Sequence, residues 1–304
     1  MSPKPVAILM ATFNGAPFIS SQVASLKAQT HTHWRLWVSD DGSSDDTLSE
    51  VRRCAGRRLY RVTRGPGAGF AQNFLHLLRQ VPTGQYVAFC DQDDVWHRTK
   101  LSRALGHLRQ TQGPAMVCAA TQPCDVHLKP IGQPTHQTAP QLGFENALGQ
   151  NVAAGNTIVL NPAAVARLKS ASMGAWDIPA HDWWTYLSLS ATGAQLIFDP
   201  VPALLYRQHG GNMVGTNTSW RARAHRLRRL ADGTYSRWIT ANLAALHGLR
   251  PQMPQANRVV YDQFCQSRGL PLSKRLQSVW APPVQLARPP AQRIWQMAYV
   301  LGRA

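Results

Sequence analysis

Three carboxylates stand within four positions of the chain, directly after a short apolar run. The run covers residues 86–90, and Asp91, Asp93 and Asp94 follow it. Carboxylates at this spacing repel one another, and burial at a strand end destabilises their charged forms further. Hard oxygen ligands in such a place suit Mg²⁺ or Mn²⁺, which can in turn hold a phosphate-bearing substrate. An acidic turn after an edge strand is the alternative, and it is the better explanation for an isolated Asp-x-Asp.

A second acidic strand end lies upstream and favours the metal hypothesis. Residues 34–39 predict a strand that is followed by Asp40 and Asp41, and an apolar run at 5–11 is followed by a turn containing Asn14. In parallel sheets, ligands bind at the carboxyl ends of the strands. We therefore expect these polar residues to meet Asp91 and Asp93 at one edge of the sheet, in a nucleotide site.

The elements that must position these residues alternate between helix and strand. Apolar spacing predicts helices at 17–28, 45–54 and 70–81, and a strand at 59–63. Further strands are predicted at 116–120, 157–160, 195–199 and 203–206, and another helix begins at His181. This alternation predicts an α/β fold with a mostly parallel sheet flanked by helices.

The composition is that of a globular protein. The chain has 304 residues, of which 44% are hydrophobic, enough for one large domain or a catalytic domain with an appendage. Five cysteines at irregular spacing, without a zinc pattern, predict a reduced, cytoplasmic setting. The first residues lack the pattern of a signal peptide, and no stretch reaches the ~18 apolar residues of a membrane-spanning helix.

The positive charge of the chain is concentrated near its C-terminus. Residues 219–304 hold 14 Lys/Arg against 2 Asp/Glu, which is +12 of the net +17. We predict a catalytic domain over residues 1–218 and a basic, mainly helical extension over 219–304. The extension could lie on an anionic membrane surface, bind nucleic acid, or pack on the catalytic body with a solvated basic face. An amphipathic segment at 220–230 begins a possible apolar stripe, formed by Leu227, Leu230, Ile239, Leu243 and Leu246.

Six segments, taken in order, resemble an inverting family-two glycosyltransferase with the GT-A fold, and above all its bacterial rhamnosyltransferase-like members. These segments are residues 11–15, 40–47, 90–96, 155–156, 181–184 and 206–212. Each segment alone is a weak or moderate signal, whereas the ordered set is specific. The resemblance covers residues 5–215 and does not extend into the basic C-terminal region.

The resemblance implies a donor pocket at the first two strand ends. Asp41 would contact the pyrimidine base, with Thr12 and Asn14 lining the same pocket. The chemistry agrees, since a carboxylate can accept from the ring N–H of uracil or thymine. Asn73, on the helix after residues 67–69, would touch the donor. The alternatives are a helix-capping turn for Asp41 and a satisfied polar residue of the helix for Asn73.

The resemblance also implies a metal site. Asp91 and Asp93 match the family's Asp-x-Asp, which holds Mg²⁺ or Mn²⁺ against the sugar diphosphate and offsets the charge of the departing nucleoside diphosphate. Asp94 could ligate in place of Asp93 or bind a sugar hydroxyl. His209 falls where related transferases supply a histidine ligand, and Arg207 could pair with diphosphate oxygens. The alternative for His209 is a turn residue that bonds its own loop.

Asp182 matches the family's catalytic base, which accepts the proton of the acceptor hydroxyl. The alternative is a plain N-terminal helix cap, since a helix N-terminus favours a carboxylate. His181, directly before it, could tune the pKa of Asp182 or simply pack. Trp96, Trp183 and Trp184 could form a platform for the acceptor sugar, and burial in the core is the alternative for them.

Together these features predict a metal-dependent hexosyltransferase. It would move a sugar, with rhamnose as one candidate, from a UDP- or dTDP-sugar donor to a hydroxyl of a glycan or lipid-linked saccharide. The process would be envelope polysaccharide synthesis, in the cytoplasm or at the inner face of the cytoplasmic membrane. A nucleic-acid-binding protein is the alternative from another class, but acidic strand ends would repel a phosphate backbone. A nucleotidyltransferase would carry a glycine-rich signature with a lysine, which residues 11–15 lack.

Overall fold

The computed structural model describes residues 5–136, 139–209, 228–278, 284–286 and 289–303. The strands are β1 Val6–Thr12, β2 Trp34–Asp40, β3 Leu59–Arg64, β4 Val87–Cys90, β5 Val95–Trp96, β6 Ala115–Ala119, β7 Gln122–Cys124, β8 Val159–Leu160, β9 Gln195–Asp199 and β10 Leu204–Arg207. The helices of the N-terminal part are α1 Ala16–Lys27, α2 Thr47–Ala55, α3 Phe70–Gln80, α4 Lys100–Arg109, α5 Phe144–Gly149, α6 Pro162–Ser172 and α7 His181–Ala191. Those of the C-terminal part are α8 Thr234–His247, α9 Gln255–Arg268, α10 Leu272–Ser278 and α11 Pro289–Val300.

A seven-stranded sheet runs through the centre of the molecule, in the order β3-β2-β1-β4-β8-β6-β9. The pairs β3/β2, β2/β1, β1/β4 and β6/β9 are parallel, and only β8 runs antiparallel to its neighbours β4 and β6. Helices cover both faces, so the predicted α/β fold with a mostly parallel sheet is confirmed. The carboxyl ends of β1, β2 and β4 therefore lie side by side, as the strand-end argument requires.

The continuous apolar runs of the central strands reflect burial on both faces of the sheet. Along β1, Ile8 and Met10 pack into the cluster that contains α1 and α4, whereas Ala7 and Leu9 pack into the cluster that contains α3 and α7. This alternation is the two-residue period of a strand. Helices cover both faces of the sheet, so the strand ends are the part of the sheet that a ligand can reach.

A small second sheet, in the order β5-β10-β7, joins two distant parts of the chain. Leu204 on β10 pairs with Trp96 on β5, and Arg207 at the end of β10 pairs with Cys124 on β7. This pairing carries residues 207–209 beside the acidic segment 91–94. Sequence alone could not place them there, because more than a hundred residues separate the two segments.

The C-terminal helices share the core of the catalytic body. Ile239, Leu243 and Leu246 of the predicted apolar stripe are buried in the cluster under α7. Asn257 on α9 donates to the carbonyls of Ser190 and Ala191 at 3.0 Å each. Over α8 and α9, the packed appendage is therefore the arrangement found. Leu227 and the predicted boundary at residue 218 lie outside the described residues, so that boundary stays a prediction.

Among the described residues, no helix is both long enough and apolar enough to span a membrane.

Candidate active site

The loop after β2 is built around the carboxylate of Asp40. This side chain is 5% exposed and accepts hydrogen bonds from the Thr12 hydroxyl (2.8 Å), the Ser43 hydroxyl (2.6 Å), and the backbone N–H groups of Gly42 (3.1 Å) and Ser43 (2.8 Å). Burial alone would raise its pKa, but the hydrogen bonds from Ser43, Thr12 and Gly42 hold the pKa of Asp40 below its usual value. Asp40 is thus an ionised structural anchor, and Thr12 is part of it.

Asp41, the next residue, lies near Asn73, outside the hydrogen-bond network of Asp40. The Asp41 carboxylate accepts from the backbone N–H of Gly67 at 2.9 Å. Asn73 is 2% exposed and donates to the carbonyl of Ser39 at 3.1 Å, while its own amide oxygen is buried and has no hydrogen-bond partner among the described residues. A Cβ at Gly65 would lie 2.2 Å from the Asp41 carboxylate and 2.7 Å from the Asn73 amide oxygen. The structure therefore brings the two predicted donor contacts together around a glycine.

The turn after β1 is fastened to the acidic motif by Gln92. The N–H of Phe13 donates to Oε1 of Gln92 at 3.0 Å, and Nε2 of Gln92 donates to the Phe13 carbonyl at 3.0 Å. A Cβ at Gly15 would meet Gln92 Oε1 at 2.2 Å, so any other residue there would push the Gln92 side chain away from its place. Asn14 is exposed, and its side chain accepts from the N–H of Ser44 at 2.9 Å. Sequence reasoning missed Gln92, because the middle position of an Asp-x-Asp carries no signal of its own.

The acidic segment after β4 forms a compact cluster of carboxylates. One oxygen from each of Asp91, Asp93 and Asp94 lies within 4.8 Å of the other two. Nε2 of His209 is 2.9 Å from Oδ2 of Asp93, and the His209 ring stacks on Phe18 at 4.5 Å between centroids. Asp94 is fully buried and accepts from the Asn156 side chain at 2.6 Å and from the Arg207 N–H at 3.2 Å.

The charge of this cluster is poorly compensated. Burial, followed by the charges of Asp94 and Asp93, raises the pKa of Asp91 well above its ordinary value. Burial and the neighbouring Asp93 raise the pKa of Asp94 to about 7. A hard divalent cation would remove this cost, and carboxylate oxygens with one imidazole are ligands that Mg²⁺ or Mn²⁺ accepts. The residues present therefore fit the predicted metal.

The side chain of Arg207 makes hydrogen bonds to other groups of the protein. Its side chain donates from Nε to the Asp93 carbonyl (2.7 Å), from Nη1 to the Val126 carbonyl (2.6 Å) and from Nη2 to the Ser21 hydroxyl (2.9 Å). Arg207 is only 5% exposed. These contacts make it a brace for the backbone of Asp93, and they commit the guanidinium away from the predicted pairing with a diphosphate.

Lys100 is a charged residue that sequence reasoning missed. It is 2% exposed, donates to the carbonyl of Asn156, and holds its ammonium 3.1 Å from the centroid of the Trp96 ring. Burial lowers the pKa of Lys100 to about 7. Because the Asn156 side chain also bonds Asp94, one residue links this buried cation to the carboxylate cluster. The only sequence feature that could have pointed to Lys100 was its position in the helix that follows the acidic motif.

Asp182 lies in the first turn of α7, close to the carboxylate cluster. It accepts from the N–H groups of Gly155 at 3.2 Å and Trp183 at 2.7 Å, and burial raises its pKa. Its charge also contributes to the raised pKa of Asp91. Both the base role and the cap role are compatible with this place, and a raised pKa suits a group that must accept a proton.

His181 belongs to the hydrophobic wall beneath the site. It is 3% exposed and stacks on Phe74 at 3.9 Å between ring centroids. Burial lowers the pKa of His181 to about 3, so the ring is neutral at physiological pH. Of the two roles considered for His181, the structure shows packing.

The three tryptophans considered as an acceptor platform are buried. Trp96 is 3% exposed, Trp183 5% and Trp184 0%. Trp183 donates from its indole N–H to the carbonyl of Ala147 at 2.8 Å, inside the core. Their large apolar area favours burial over display, so the core alternative is correct for all three. The exposed tryptophan of the described residues is Trp176, at 63%.

Similarity to known proteins settles the family of this chain. Residues 7–172 match the model of the family described as Glycosyl transferase family 2. The chain belongs to this family. The resemblance inferred from the ordered motifs is thereby confirmed, and the protein is a glycosyltransferase rather than a nucleic-acid-binding protein.

Two relatives of this glycosyltransferase are bacterial sugar transferases. It is 29% identical to the dTDP-rhamnosyl transferase RfbG of Shigella flexneri over 252 residues, which cover 78% of this chain and 84% of RfbG. It is 35% identical to an Escherichia coli protein, the UDP-Glc:alpha-D-GlcNAc-diphosphoundecaprenol beta-1,3-glucosyltransferase WfgD. That match spans 98 residues, which are 32% of this chain and 38% of WfgD.

Solved structures share the fold of this glycosyltransferase. Staphylococcus aureus TarS 1–349 in complex with UDP-GlcNAc matches with a TM-score of 0.56 at 14% identity, covering 97% of this chain and 90% of TarS 1–349. The mannosyltransferase PcManGT of Pyrobaculum calidifontis, in complex with GDP-Man and Mn²⁺, matches with a TM-score of 0.53 at 18% identity, covering 99% and 86%. At such identities the likeness establishes the GT-A fold alone.

Proposed function

We propose that this glycosyltransferase transfers a sugar with inversion from a UDP- or dTDP-linked donor to a hydroxyl of a saccharide or lipid-linked saccharide. The observation that carries the proposal is the meeting of a carboxylate cluster and a donor-type pocket at the ends of neighbouring strands with the half-buried carboxylate of Asp182, in the first turn of α7. The relationship to RfbG supports dTDP-rhamnose as the donor, and that to WfgD supports a lipid-linked acceptor in envelope polysaccharide synthesis.

The donor would lie across two loops of the same edge. Asp41 and Asn73 would contact the base, since the amide oxygen of Asn73 has no hydrogen-bond donor within the described part of the chain and could accept one from the nucleotide. Thr12 and Asn14 shape this pocket through the loops that they hold. The Phe13 backbone and Gln92 fix the pocket relative to the carboxylate cluster, so a bound nucleotide diphosphate could touch both parts.

The metal would be held by Asp91 and Asp93, with His209 at the side. Mg²⁺ or Mn²⁺ supplies charge compensation for the departing nucleoside diphosphate when it is bound. Asp94 accepts hydrogen bonds from Asn156 and Arg207. Its role would therefore be to add negative charge to the cluster that holds the metal.

Asp182 would act as the general base. It would accept the proton of the acceptor hydroxyl while that oxygen bonds to the anomeric carbon and the bond to the diphosphate breaks. The new bond forms on the face opposite the leaving group, which inverts the anomeric centre. Its half-buried setting raises the pKa of Asp182, which suits a group that must accept a proton.

A donor screen tests the proposal. Nucleotide sugars would be offered with Mn²⁺ or EDTA, and release of nucleoside diphosphate would be measured with the wild type and with Asp182→Asn. We expect turnover with Mn²⁺ only, at least about a hundredfold lower in the variant, with similar affinity for the nucleoside diphosphate. Full turnover in EDTA would remove the metal from the proposal, and unchanged turnover of the variant would reduce Asp182 to a helix cap.

We also propose that the protein meets its acceptor at the inner face of the cytoplasmic membrane. The support comes from exposed apolar side chains on the last helices, Leu272, Leu276, Ile294 and Met297, and from the basic residues Lys274, Arg275 and Arg293 near them in sequence. Such a surface suits an interface that contains anionic lipid. Co-sedimentation with anionic vesicles that weakens with salt is the expected result, and equal binding to neutral vesicles would contradict an electrostatic contact.

A further inference from the structure

A groove separate from the strand-end site lies between the loop before α7, the helix α8 and the C-terminal end of the described chain. Its volume is about 580 Å³, within the ordinary size of small-molecule sites. None of the candidate donor, metal or base residues lines it. Its lining includes Trp176, Asp177, Ser236, Arg237, Thr240 and Arg303.

Trp176 is the feature of this groove that needs a partner. Its side chain is 63% exposed, although indole rings are normally buried. The guanidinium carbon of Arg79 lies 4.8 Å from the ring centroid, so Arg79 contacts one part of the ring surface. The large remaining exposure leaves an apolar surface at the edge of a concave, partly polar site, which is a usual mark of ligand binding.

The backbone that presents the Trp176 ring is held in place. The side chain of Gln72, which is 7% exposed, donates to the carbonyls of Ala175 at 2.8 Å and Trp176 at 2.7 Å. Ala175 is itself fully buried. An aromatic ring on an anchored backbone loses little freedom when a ligand stacks on it, and such preorganisation favours binding.

The rest of the lining combines small residues with polar groups. Gly174, Gly233 and Gly302 contribute no side chains to the lining, whereas Asp177 supplies a carboxylate acceptor and Arg303 a guanidinium donor. A pyranose ring presents an apolar face of C–H groups and an edge of hydroxyls. The apolar face fits an exposed indole, and the hydroxyls fit mixed donors and acceptors.

We propose that this groove binds saccharide, namely a part of the acceptor chain remote from the hydroxyl that reacts. The inference rests on the proposed function, because it assigns a second contact to the same acceptor. Asp182 lies six positions after Trp176, so their Cα atoms are at most about 22 Å apart. Gln72 is also adjacent in sequence to Asn73 of the donor pocket. An acceptor of several sugar units can therefore reach from the base to the groove.

Affinity electrophoresis in native gels that contain a soluble neutral glucan, mannan or rhamnan tests the binding. Trp176→Ala is compared with the wild type and with Met173→Ala, a matched control that is also 63% exposed but does not line the groove. We expect at least one polysaccharide to retard the wild type and the control, and Trp176→Ala to migrate freely. Equal retardation of Trp176→Ala, or no retardation of the wild type, would overturn the proposal.

A kinetic measurement separates this inference from the proposed function. With the acceptor found by screening, Trp176→Ala should raise the acceptor KM about tenfold at unchanged kcat, the expected size for one lost aromatic contact. Donor hydrolysis and the thermal shift with nucleoside diphosphate and Mn²⁺ should stay at wild-type values. Loss of those donor readouts in the wild type would end the proposed function. Intact donor readouts without retardation would end the groove inference alone. A wild-type dimer that Trp176→Ala dissociates would identify the surface as a self-association contact and overturn the inference too.

Discussion

Two strand ends of one sheet carry adjacent carboxylates, and they handle their negative charge in opposite ways. After β2, Asp40 accepts four hydrogen bonds, and its pKa is held low in spite of burial. After β4, the Asp91 carboxylate accepts no hydrogen bond within the described residues, and its pKa is raised. The first site is complete as it stands, whereas the second needs a cation. The number of hydrogen-bond donors around a carboxylate, more than the number of neighbouring acidic residues, distinguishes a structural carboxylate from a metal ligand.

The largest expected effect comes from Asp91→Asn. Loss of a metal ligand should lower turnover about a thousandfold, since a bound cation contributes several kcal/mol to stabilising the developing charge. The metal-free variant should nevertheless unfold at a higher temperature than the wild type at pH 8, because a repelled carboxylate is gone. Turnover and thermal unfolding in EDTA measure the two effects. A less stable metal-free variant would contradict the view that the cluster lacks compensation.

Asp40→Asn should have the opposite stability effect. The amide cannot accept from all four donors and turns an N–H₂ group towards some of them, so we expect a loss of about 2 kcal/mol in the free energy of unfolding. Urea unfolding measures this loss. The Mn²⁺ concentration that gives half-maximal activity should not change in this variant. A large change in it would mean that the two strand ends act as one site.

The pH dependence should also separate the two sites. Between the ordinary value of 3.8 and the folded value of about 7, Asp94 binds more protons in the folded than in the unfolded state. The metal-free protein therefore loses stability as pH rises through this window, by up to about 1.4 kcal/mol per pH unit for each such group. Asp40 acts the other way, because its lowered pKa contributes stability that is lost only in acid.

Mn²⁺ must displace the protons held by the cluster, so its thermal shift should increase from pH 6 to pH 8. Scanning fluorimetry with and without the ion measures this shift. A thermal shift that stays constant over this range would show that the carboxylates are already ionised in the metal-free protein.

The smallest expected effect concerns Gln92, which joins the two regions. Gln92→Leu removes two hydrogen bonds to exposed backbone groups of Phe13, which water can replace. We therefore expect a loss of only about 1 kcal/mol, seen as roughly fivefold weaker binding of nucleoside diphosphate in calorimetry. Gln266→Leu, at an exposed position on α9, is the matched control. Equal affinities for both variants would show that the two loops are positioned independently.

The residues of the two acidic segments could be found from sequence because both follow strands with strong apolar patterns. The same local patterns predicted the α/β fold, since buried strands and amphipathic helices are properties of contiguous segments. The roles within the segments were less accessible. Asp40 and Asp41 look alike in sequence, and only the positions of Thr12, Ser43 and Gly67 distinguish the anchor from the residue that remains available to a ligand.

What the sequence determined by itself was the order of strands and helices and the family, because these are written in contiguous motifs. What the tertiary structure decided was the partner of each polar side chain. Arg207 was expected at a diphosphate and instead braces Asp93, and Lys100 lies buried beside Trp96. The tryptophans next to Asp182 entered the core, while Trp176 stayed exposed. Such outcomes depend on contacts between residues far apart in the chain, and a local pattern carries no information about the distance between them.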